Sequence, residues 1–216
     1  MNKTDLKLYA ITDRQWLHGA SLSEHVKLAI EGGATMIQIR DKDILSTDSD
    51  AGLKDEYNEA LEIKRICHEH RVPLIINDNV QFAIDIDADG VHLGQDDMNP
   101  AEARKLLGTD KIIGVTAKTV EQAKKAQADG ADYLGSGAVF GSITKLNAKP
   151  MTKELLSEIT AAVDIPVVAI GGINADNAST LKGTGIAGIA VVGAIFASED
   201  IKAAAKALAE ICDNML

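Results

Sequence analysis

The sequence has little of what a nucleic-acid-binding or disulfide-stabilised protein would need. Basic residues are outnumbered, with 22 Lys and Arg against 32 Asp and Glu, so the formal net charge is −10. This balance argues against nucleic acid as a partner, because phosphate binding there needs a basic surface. A small phosphorylated ligand can still bind in a locally basic pocket. The two cysteines, Cys67 and Cys212, lack the spacing of a disulfide framework or a metal motif.

Long apolar runs are also missing. No run reaches about 18 apolar residues, the length of a membrane span, and Met1–Asp5 lacks the apolar stretch of a secretory signal. Aromatic residues make up only 3% of the chain, whereas hydrophobic residues make up 46%. The core should therefore be aliphatic and rich in alanine, as it is where helices pack on a sheet. We expect a soluble, cytoplasmic protein.

Eight short apolar runs alternate with helical patterns, as in parallel strands joined by helical crossovers. The runs are continuously apolar, which is typical of strands buried on both faces. The predicted strands are Leu6–Ile11, Thr35–Ile39, Pro73–Ile76, Gly90–Leu93, Lys111–Val115, Asp132–Leu134, Pro166–Ile170 and Ile186–Val192. The predicted helices are Ser21–Glu31, Leu53–His70, Asn79–Ile84, Pro100–Leu107, Val120–Ala128, Thr152–Val163, Ala175–Leu181 and Ile201–Met215.

This alternation predicts an α/β fold, a single-domain (β/α)8 TIM barrel over residues 1–216. A doubly wound open sheet would need a glycine fingerprint after its first strand. That turn instead reads Thr12-Asp13-Arg14-Gln15-Trp16. Between the second strand and the second helix, Asp41–Gly52 is predicted to be a long polar loop, a length often found in functional lids.

Polar side chains stop three of the apolar runs abruptly. In a barrel of parallel strands all carboxyl ends lie on one face, so these side chains should converge. They comprise two cations, at least two carboxylates and three carboxamides, which are the groups that a magnesium-bound pyrophosphate requires. The set is Gln38, Arg40 and Lys42 in the first segment, Asn77 and Asp78 in the second, and Gln95 and Asp97 in the third.

Some of these residues also have simpler interpretations. Asn77 and Asp78 are residue types that form turns and helix caps. The nearby His92 is either a substrate contact or an inward-facing histidine that is hydrogen-bonded within the barrel.

Glycine-rich segments follow the last three strands. Gly135–Lys145 combines glycines with hydroxyls and a cation, a composition found in loops that fold over anionic substrates. Gly171-Gly172 and Val192-Gly193 follow the seventh and eighth strands, where backbone N–H groups of this fold often bind phosphate. Two anion sites on one face suit a reaction between a pyrophosphate-bearing and a monophosphate-bearing substrate.

Over nearly its whole length the chain resembles the thiamine-phosphate synthase family. The resemblance rests on Gln38-x-Arg40-Asp41-Lys42, Asn77-Asp78, His92-Leu93-Gly94-Gln95-Asp96-Asp97, Ser142-x-Thr144-Lys145 and Gly171-Gly172-Ile173. It implies a transferase that couples 4-amino-2-methyl-5-hydroxymethylpyrimidine diphosphate with hydroxyethylthiazole phosphate, with Mg²⁺ as cofactor. The implied partners are these two small molecules, with neither nucleic acid nor membrane. The sequence leaves self-association into a homo-oligomer open.

The same resemblance implies roles for individual residues. Arg40, Lys42 and Lys145 would be catalytic, because they would stabilise the departing pyrophosphate in a dissociative reaction. The residues implied for the pyrophosphate are Gln38, Arg40, Lys42, Asn77 and Lys145, with Asp78 and Asp97 as the metal ligands. Those implied for the rest of the substrates are Gln95 and Thr116 near the pyrimidine, Ser142 and Thr144 beside the thiazole, and Gly172, Val192 and Gly193 at its phosphate.

Three positions depart from the commoner pattern of the family. Thr116 replaces a serine and keeps the hydroxyl. Gly141-Ser142 replaces a Pro-Thr pair, and Gly193 replaces a serine in the phosphate loop. The change at Gly193 leaves only backbone donors there, so it bears on the affinity for the thiazole phosphate.

Three other functions fit parts of this pattern. A thiazole tautomerase would bind only the thiazole phosphate and would not need Gln38, Arg40 and Lys42. A non-catalytic protein that senses the precursor or the product would not need the two metal carboxylates. A sugar-phosphate isomerase would pair an acidic base with a histidine, and only His92 stands out for that pairing. The fold alone does not choose among these functions.

Overall fold

Eight parallel strands close into a barrel in the computed structural model, which describes residues 2–40, 50–141 and 150–216. The strands are β1 (Leu8–Ile11), β2 (Met36–Ile39), β3 (Leu74–Asn77), β4 (Gly90–Leu93), β5 (Ile112–Thr116), β6 (Tyr133–Gly137), β7 (Val167–Ile170) and β8 (Gly188–Val191). Each strand pairs with its neighbour in sequence, and β1 also pairs with β8, with Tyr9 opposite Ala190. The predicted (β/α)8 barrel is therefore confirmed.

Helices connect the strands around the outside of the barrel. They are α1 (Leu22–Glu31), α2 (Asp50–His70), α3 (Val80–Asp85), α4 (Pro100–Leu107), α5 (Val120–Ala128), α6 (Lys153–Ala161), α7 (Gly193–Phe196) and α8 (Ile201–Met215). Short 3₁₀ helices occur at Lys3–Leu6, Arg14–Trp16 and Ala178–Leu181. Within the described residues, no helix combines the length and the apolar character needed to cross a membrane.

Side-chain caps explain why three helices begin one residue later than predicted. The hydroxyl of Ser21 accepts a hydrogen bond from the Glu24 amide, and the Glu24 carboxylate accepts one from the Ser21 amide. The side chains of Asn79 and Thr152 likewise accept hydrogen bonds from amides in the first turns of α3 and α6. A cap residue has extended backbone angles, so it lies just outside the helix that it starts.

The predicted helix Ala175–Leu181 is wrong, because only Ala178–Leu181 is helical and it is a 3₁₀ helix. The side chain of Asn174 accepts a hydrogen bond from the Asp176 amide, and that of Asn177 accepts one from the Asn174 amide. Such local bonds offer the backbone an alternative to the α-helical pattern.

The sixth strand is also longer than predicted, because Gly135, Ser136 and Gly137 belong to β6 rather than to the loop. A Cβ atom on Gly137 would lie 1.9 Å from the carbonyl oxygen of Ile170 on β7. Glycine thus permits close strand contact here, whereas the sequence analysis assigned these residues to a loop that folds over an anionic substrate. The end of the predicted polar loop Asp41–Gly52 is also wrong, because α2 begins at Asp50 and the last three residues of the predicted loop are helical.

Side chains alternate between two apolar layers along each strand. Leu8 and Ala10 face the helices, whereas Tyr9 and Ile11 face the barrel interior. The outer layer is aliphatic and rich in alanine, as predicted. The interior also contains two fully buried aromatic rings, those of Tyr9 and Tyr133.

Candidate active site at the carboxyl ends of the strands

The predicted site residues that the structure describes lie at one end of the barrel. Because all eight strands run parallel, residues at or just after their carboxyl ends share one face. The residues on that face are Gln38 and Arg40 at β2, Asn77 and Asp78 at β3, Gln95 and Asp97 after β4, Thr116 at β5, Gly172 after β7, and Val192 and Gly193 after β8. In an eight-stranded barrel β3 and β4 lie opposite β7 and β8, so the carboxylates and the glycine segments face each other across the mouth.

Two carboxylates meet beside Asn77. The side chains of Asp78 and Asp97 are close neighbours, and burial followed by the effect of this neighbour raises the pKa of Asp78 to about 6. The Asn77 amide nitrogen donates to Asp78 Oδ2 at 2.6 Å, and the Gly94 amide donates to Asp97 Oδ2 at 2.6 Å. Two neighbouring carboxylates disfavour each other's negative charge, and a divalent cation bound between them would relieve that repulsion.

A tight turn aims Asp78 into the mouth. Asp78 has a φ angle of 60°, in the left-handed region, and its amide donates to the carbonyl of His92 at 2.8 Å. The next residue, Asn79, provides the cap of α3. The helix-capping role, one of the two interpretations of Asn77 and Asp78, therefore belongs to Asn79, which leaves the side chains of Asn77 and Asp78 at the site.

The end of β2 is held by contacts from β1. The Arg40 amide donates to the hydroxyl of the buried Thr12 at 3.1 Å, and the positive charge of Arg40 acts on Asp78 to lower the pKa of that carboxyl. Gln38 is only 2% exposed, and its amide nitrogen donates to Tyr9 Oη at 2.6 Å. A glutamine within an apolar strand needs a buried partner, and Tyr9 is that partner.

On the β4 and β5 side, Thr116 is contacted by two neighbours. Gln95 Nε2 donates to the backbone carbonyl of Thr116 at 2.5 Å, and His92 Nε2 lies 3.0 Å from Thr116 Oγ1. Burial lowers the pKa of His92 to about 4, which the charge of Asp97 opposes only in part. His92 is therefore neutral at pH 7 and hydrogen-bonded within the barrel. This agrees with its interpretation as an inward-facing histidine rather than as a substrate contact.

A glycine turn follows β7. Gly171 and Gly172 have φ angles of 102° and 68°, a region that side chains disfavour. A Cβ atom on Gly172 would lie 2.9 Å from the carbonyl oxygen of Phe140. Asn177 Nδ2 donates to the Gly172 carbonyl at 2.9 Å and fixes the turn from below.

After β8 the chain enters the short helix α7, with Val192 as its N-cap and Gly193 as its first residue. Amides in the first turn of a helix have no partner within that helix, so the amide of Gly193 is available to a ligand. Within the part of the chain that the structure describes, a Cβ atom on Gly193 would meet only Ala197 Cβ, at 3.8 Å. Space is therefore available for a larger residue.

Four predicted site residues, Lys42, Ser142, Thr144 and Lys145, lie outside the described residues. Conversely, the sequence analysis missed Tyr9, Thr12 and Tyr133, which contact predicted site residues or their neighbours. For the two tyrosines, the available signal was the presence of two of the chain's three tyrosines within predicted strands or at their ends.

Comparison with known proteins places this arrangement among related enzymes. Residues 8–195 match the thiamine monophosphate synthase family. The thiamine-phosphate synthase of Ruminiclostridium cellulolyticum is 48% identical over 213 residues, which is 99% of this chain and 98% of the relative. That of Clostridium novyi is 48% identical over 95% of this chain and 98% of its own. A solved structure, thiamine phosphate pyrophosphorylase from Pyrococcus furiosus, superposes with a TM-score of 0.87 at 38% identity, covering 99% and 98% of the two chains.

Proposed function

Since the chain belongs to the thiamine-phosphate synthase family, we propose that the residues at its barrel mouth bind the two substrates of that reaction. The protein is a transferase that couples 4-amino-2-methyl-5-hydroxymethylpyrimidine diphosphate with hydroxyethylthiazole phosphate to give thiamine phosphate and pyrophosphate. Membership of this family favours thiamine phosphate synthesis over the other functions that fit parts of the sequence, namely a thiazole tautomerase, a non-catalytic sensor and a sugar-phosphate isomerase. The site roles below are our proposals, and the paired carboxylates beside Arg40 are the observation that carries them.

The pyrophosphate group would lie over β2 and β3. Arg40 faces the region of Asp78, and Asn77 and Gln38 add amide groups at the neighbouring strand ends. We assign the binding of the diphosphate to these three residues together with Lys42 and Lys145. Cations at this position stabilise the negative charge that develops on the leaving pyrophosphate.

The donor set at Asp78 and Asp97 fits Mg²⁺. Among the residues that the structure describes, no group of three or more His, Cys, Asp or Glu side chains could hold a metal. Mg²⁺ does not need such a cage, because it is usually bound through one or two carboxylates, water and substrate phosphate oxygens. We therefore propose that Asp78 and Asp97 hold Mg²⁺, which would supply positive charge to the diphosphate when bound.

The proposed reaction is dissociative. The bond between the methylene carbon and the diphosphate oxygen breaks, and the electron pair leaves with the pyrophosphate, which Arg40, Lys42 and Lys145 stabilise. The 4-amino group of the pyrimidine stabilises the resulting cation. The lone pair of the thiazole nitrogen then forms the new carbon–nitrogen bond. This route needs no covalent protein nucleophile, and its acceleration comes from electrostatics and positioning.

Opposite the metal side, the thiazole phosphate would lie against the glycine turn and the start of α7. We propose that the backbone amides of Gly172, Val192 and Gly193 bind it, with Ser142 and Thr144 beside the thiazole ring. Gln95 and Thr116 would contact the pyrimidine. The left-handed Gly172 and the open first turn at Gly193 support this placement.

The space at Gly193 gives a direct test of the thiazole-phosphate assignment. Gly193→Ser adds a hydroxyl without displacing a described neighbour, because among the described residues its Cβ meets one atom, at 3.8 Å. A hydrogen bond to a charged group is worth about 1.5–3 kcal/mol at most sites, so the KM for hydroxyethylthiazole phosphate should fall by roughly tenfold or more. The KM for the pyrimidine diphosphate should stay the same.

Gly193→Ala is the matched control, since it adds the same Cβ atom without the hydroxyl. Its KM for the thiazole phosphate should equal that of the wild type. An unchanged KM for the thiazole phosphate in Gly193→Ser would contradict the assignment of this phosphate to the start of α7.

Three broader proposals accompany the reaction. Cys67 and Cys212 are both buried and unbridged, which supports a cytoplasmic location. Strand β1 closes the barrel against β8, which supports one domain over residues 1–216. Self-association into a homo-oligomer is compatible with these features.

The experiment that tests the function is a direct assay of the two substrates with the protein and Mg²⁺. We expect thiamine phosphate and an equal amount of released pyrophosphate. Formation of both products should stop when EDTA is added and resume when excess Mg²⁺ is supplied. Product formation that survives EDTA would contradict the metal assignment. A lack of product at saturating substrate would contradict the reaction.

A further inference from the structure

A run of hydrogen bonds crosses the otherwise aliphatic interior of the barrel. It begins at Gln38 Nε2, which donates to Tyr9 Oη at 2.6 Å. Tyr9 Oη lies 2.9 Å from Tyr133 Oη, and Tyr133 Oη lies 3.0 Å from His92 Nδ1. The run ends at Thr116 Oγ1, 3.0 Å from His92 Nε2. Five residues on five strands thereby connect the proposed pyrophosphate side of the site to the proposed pyrimidine side.

The barrel has space for this run because two inward positions are glycine. A Cβ atom on Gly114 would lie 2.1 Å from the Tyr133 ring and 2.3 Å from its hydroxyl. A Cβ atom on Gly135 would lie 3.1 Å from His92 Cε1. The rings of Tyr9 and Tyr133 pack edge to face with centroids 5.9 Å apart. The two tyrosines and His92 are therefore held by packing as well as by hydrogen bonds.

The available donors and acceptors allow the hydrogen bonds of this run to be donated in one direction only, from Gln38 towards Thr116. Tyr9 Oη already accepts from Gln38, so its single proton must go to an acceptor or remain unpaired. Within the described part of the chain, the only other partner of that hydroxyl is Tyr133 Oη. A buried donor without an acceptor is costly, so Tyr9 donates to Tyr133.

The direction continues to the mouth of the barrel. Tyr133 Oη accepts from Tyr9, so its own proton goes to His92 Nδ1. His92 must then be the neutral tautomer with its proton on Nε2, and this proton is donated to Thr116 Oγ1. Among the described residues Thr116 Oγ1 has no second hydrogen-bond partner, so its own proton can be donated to a ligand.

We propose that Tyr133 is a positioning residue, which sets the tautomer of His92 and thereby presents the Thr116 hydroxyl as a hydrogen-bond donor to the pyrimidine substrate. A ring nitrogen is the kind of acceptor that this donor would recognise. The same run fixes the Gln38 amide with its nitrogen towards Tyr9. This inference rests on the proposed role of Thr116 in binding the pyrimidine.

The first measurement is the ¹⁵N spectrum of histidine-labelled protein at pH 7, with the His92 signals assigned by their loss in His92→Gln. We expect a neutral imidazole protonated at Nε2 in the wild type. In Tyr133→Phe the hydroxyl that donates to Nδ1 is gone, so the signals should shift towards a mixture of tautomers. In Tyr9→Phe, Tyr133 still donates to His92, so the Nε2-protonated form should persist.

Turnover supplies the second readout. Loss of one well-placed hydrogen bond lowers kcat/KM by roughly tenfold. We therefore expect kcat/KM for the pyrimidine diphosphate to fall by about that factor in Tyr133→Phe. The KM for the thiazole phosphate should stay constant. Tyr57→Phe is the matched control, because it removes an exposed tyrosine hydroxyl that donates to the Asp85 carbonyl, away from the run. It should change neither the His92 signals nor kcat/KM.

Two results would overturn the proposal. One is a wild-type His92 that is protonated on Nδ1. The other is a folded Tyr133→Phe variant whose His92 signals and kcat/KM match those of the wild type. If Tyr133→Phe does not fold, a Tyr9→Phe variant that loses the Nε2-protonated form would contradict the direction of the run. A failure of the reaction itself is separate, since it would appear as missing product in the wild type regardless of the His92 tautomer.

Discussion

Replacing Arg40 with alanine should lower the kcat of thiamine phosphate formation by at least about 100-fold, which is the typical cost of losing one electrostatic donor in an active site. Arg40 follows β2, and its charge acts on Asp78 at the proposed metal site. The positive charge matters most when the pyrophosphate departs, because negative charge then accumulates on the leaving group. The loss should therefore fall on kcat more than on KM. The same reasoning predicts a comparable loss for Lys42→Ala.

Steady-state kinetics with saturating Mg²⁺ and both substrates would measure this effect. Arg65→Ala is a suitable control, because Arg65 forms ion pairs with Glu62 and Glu69 on the exposed face of α2. Such surface pairs contribute little, so its kcat should be unchanged. Arg40→Lys should fall between the two, since it keeps the charge but loses the planar fork of donors. Wild-type turnover in both Arg40→Ala and Lys42→Ala would refute the proposed pyrophosphate site.

Asp78→Asn should raise the Mg²⁺ concentration needed for half-maximal activity by at least roughly tenfold, because changes near a metal site commonly cost 10–100-fold in affinity. The substitution removes one of the two carboxylates but keeps the size of the side chain. Asp85→Asn is the control, since Asp85 is an exposed residue of α3 that contacts Gln81. Equal Mg²⁺ requirements in the two variants would mean that Asp78 does not hold the metal.

The raised pKa of Asp78 also predicts how pH affects the Mg²⁺ requirement. Without metal this carboxyl titrates at about 6, because burial and the neighbouring Asp97 disfavour its charged form. Proton and metal compete for the same oxygens. Above pH 6 the carboxylate is ionised and the affinity should be constant. Below pH 6, each further drop of one pH unit should weaken Mg²⁺ binding by up to about tenfold. In Asp78→Asn this pH dependence of the Mg²⁺ affinity should be absent.

The positions of Asn77, Asp78 and Asp97 at the barrel mouth were predictable because parallel strands end on one face whatever their exact register. Gly90–Leu93 and the helices Pro100–Leu107, Val120–Ala128 and Ile201–Met215 have the predicted bounds. The pattern of apolar runs was sufficient for these elements. It was misleading at Gly135–Gly137, where Gly135 leaves room for the His92 ring and Gly137 permits close contact with β7.

The contact between Tyr9 and Tyr133 was not predictable in the same way. The two residues are 124 positions apart in the sequence, and they meet only because the closed barrel brings β1 and β6 to opposite sides of one interior. Whether a strand side chain points inward depends on register, which a run of apolar residues does not specify. For the same reason the sequence alone left the role of His92 open.

The pairing of β1 with β8 also has a consequence for how the chain is synthesised. In the finished barrel each of the eight strands has a neighbour on both sides. During translation, however, Leu8–Ile11 emerges long before its partner Gly188–Val191. An apolar strand edge that stays unpaired for that interval is a site of aggregation. The β8-facing edge of β1 is therefore exposed to aggregation until the last strand has left the ribosome.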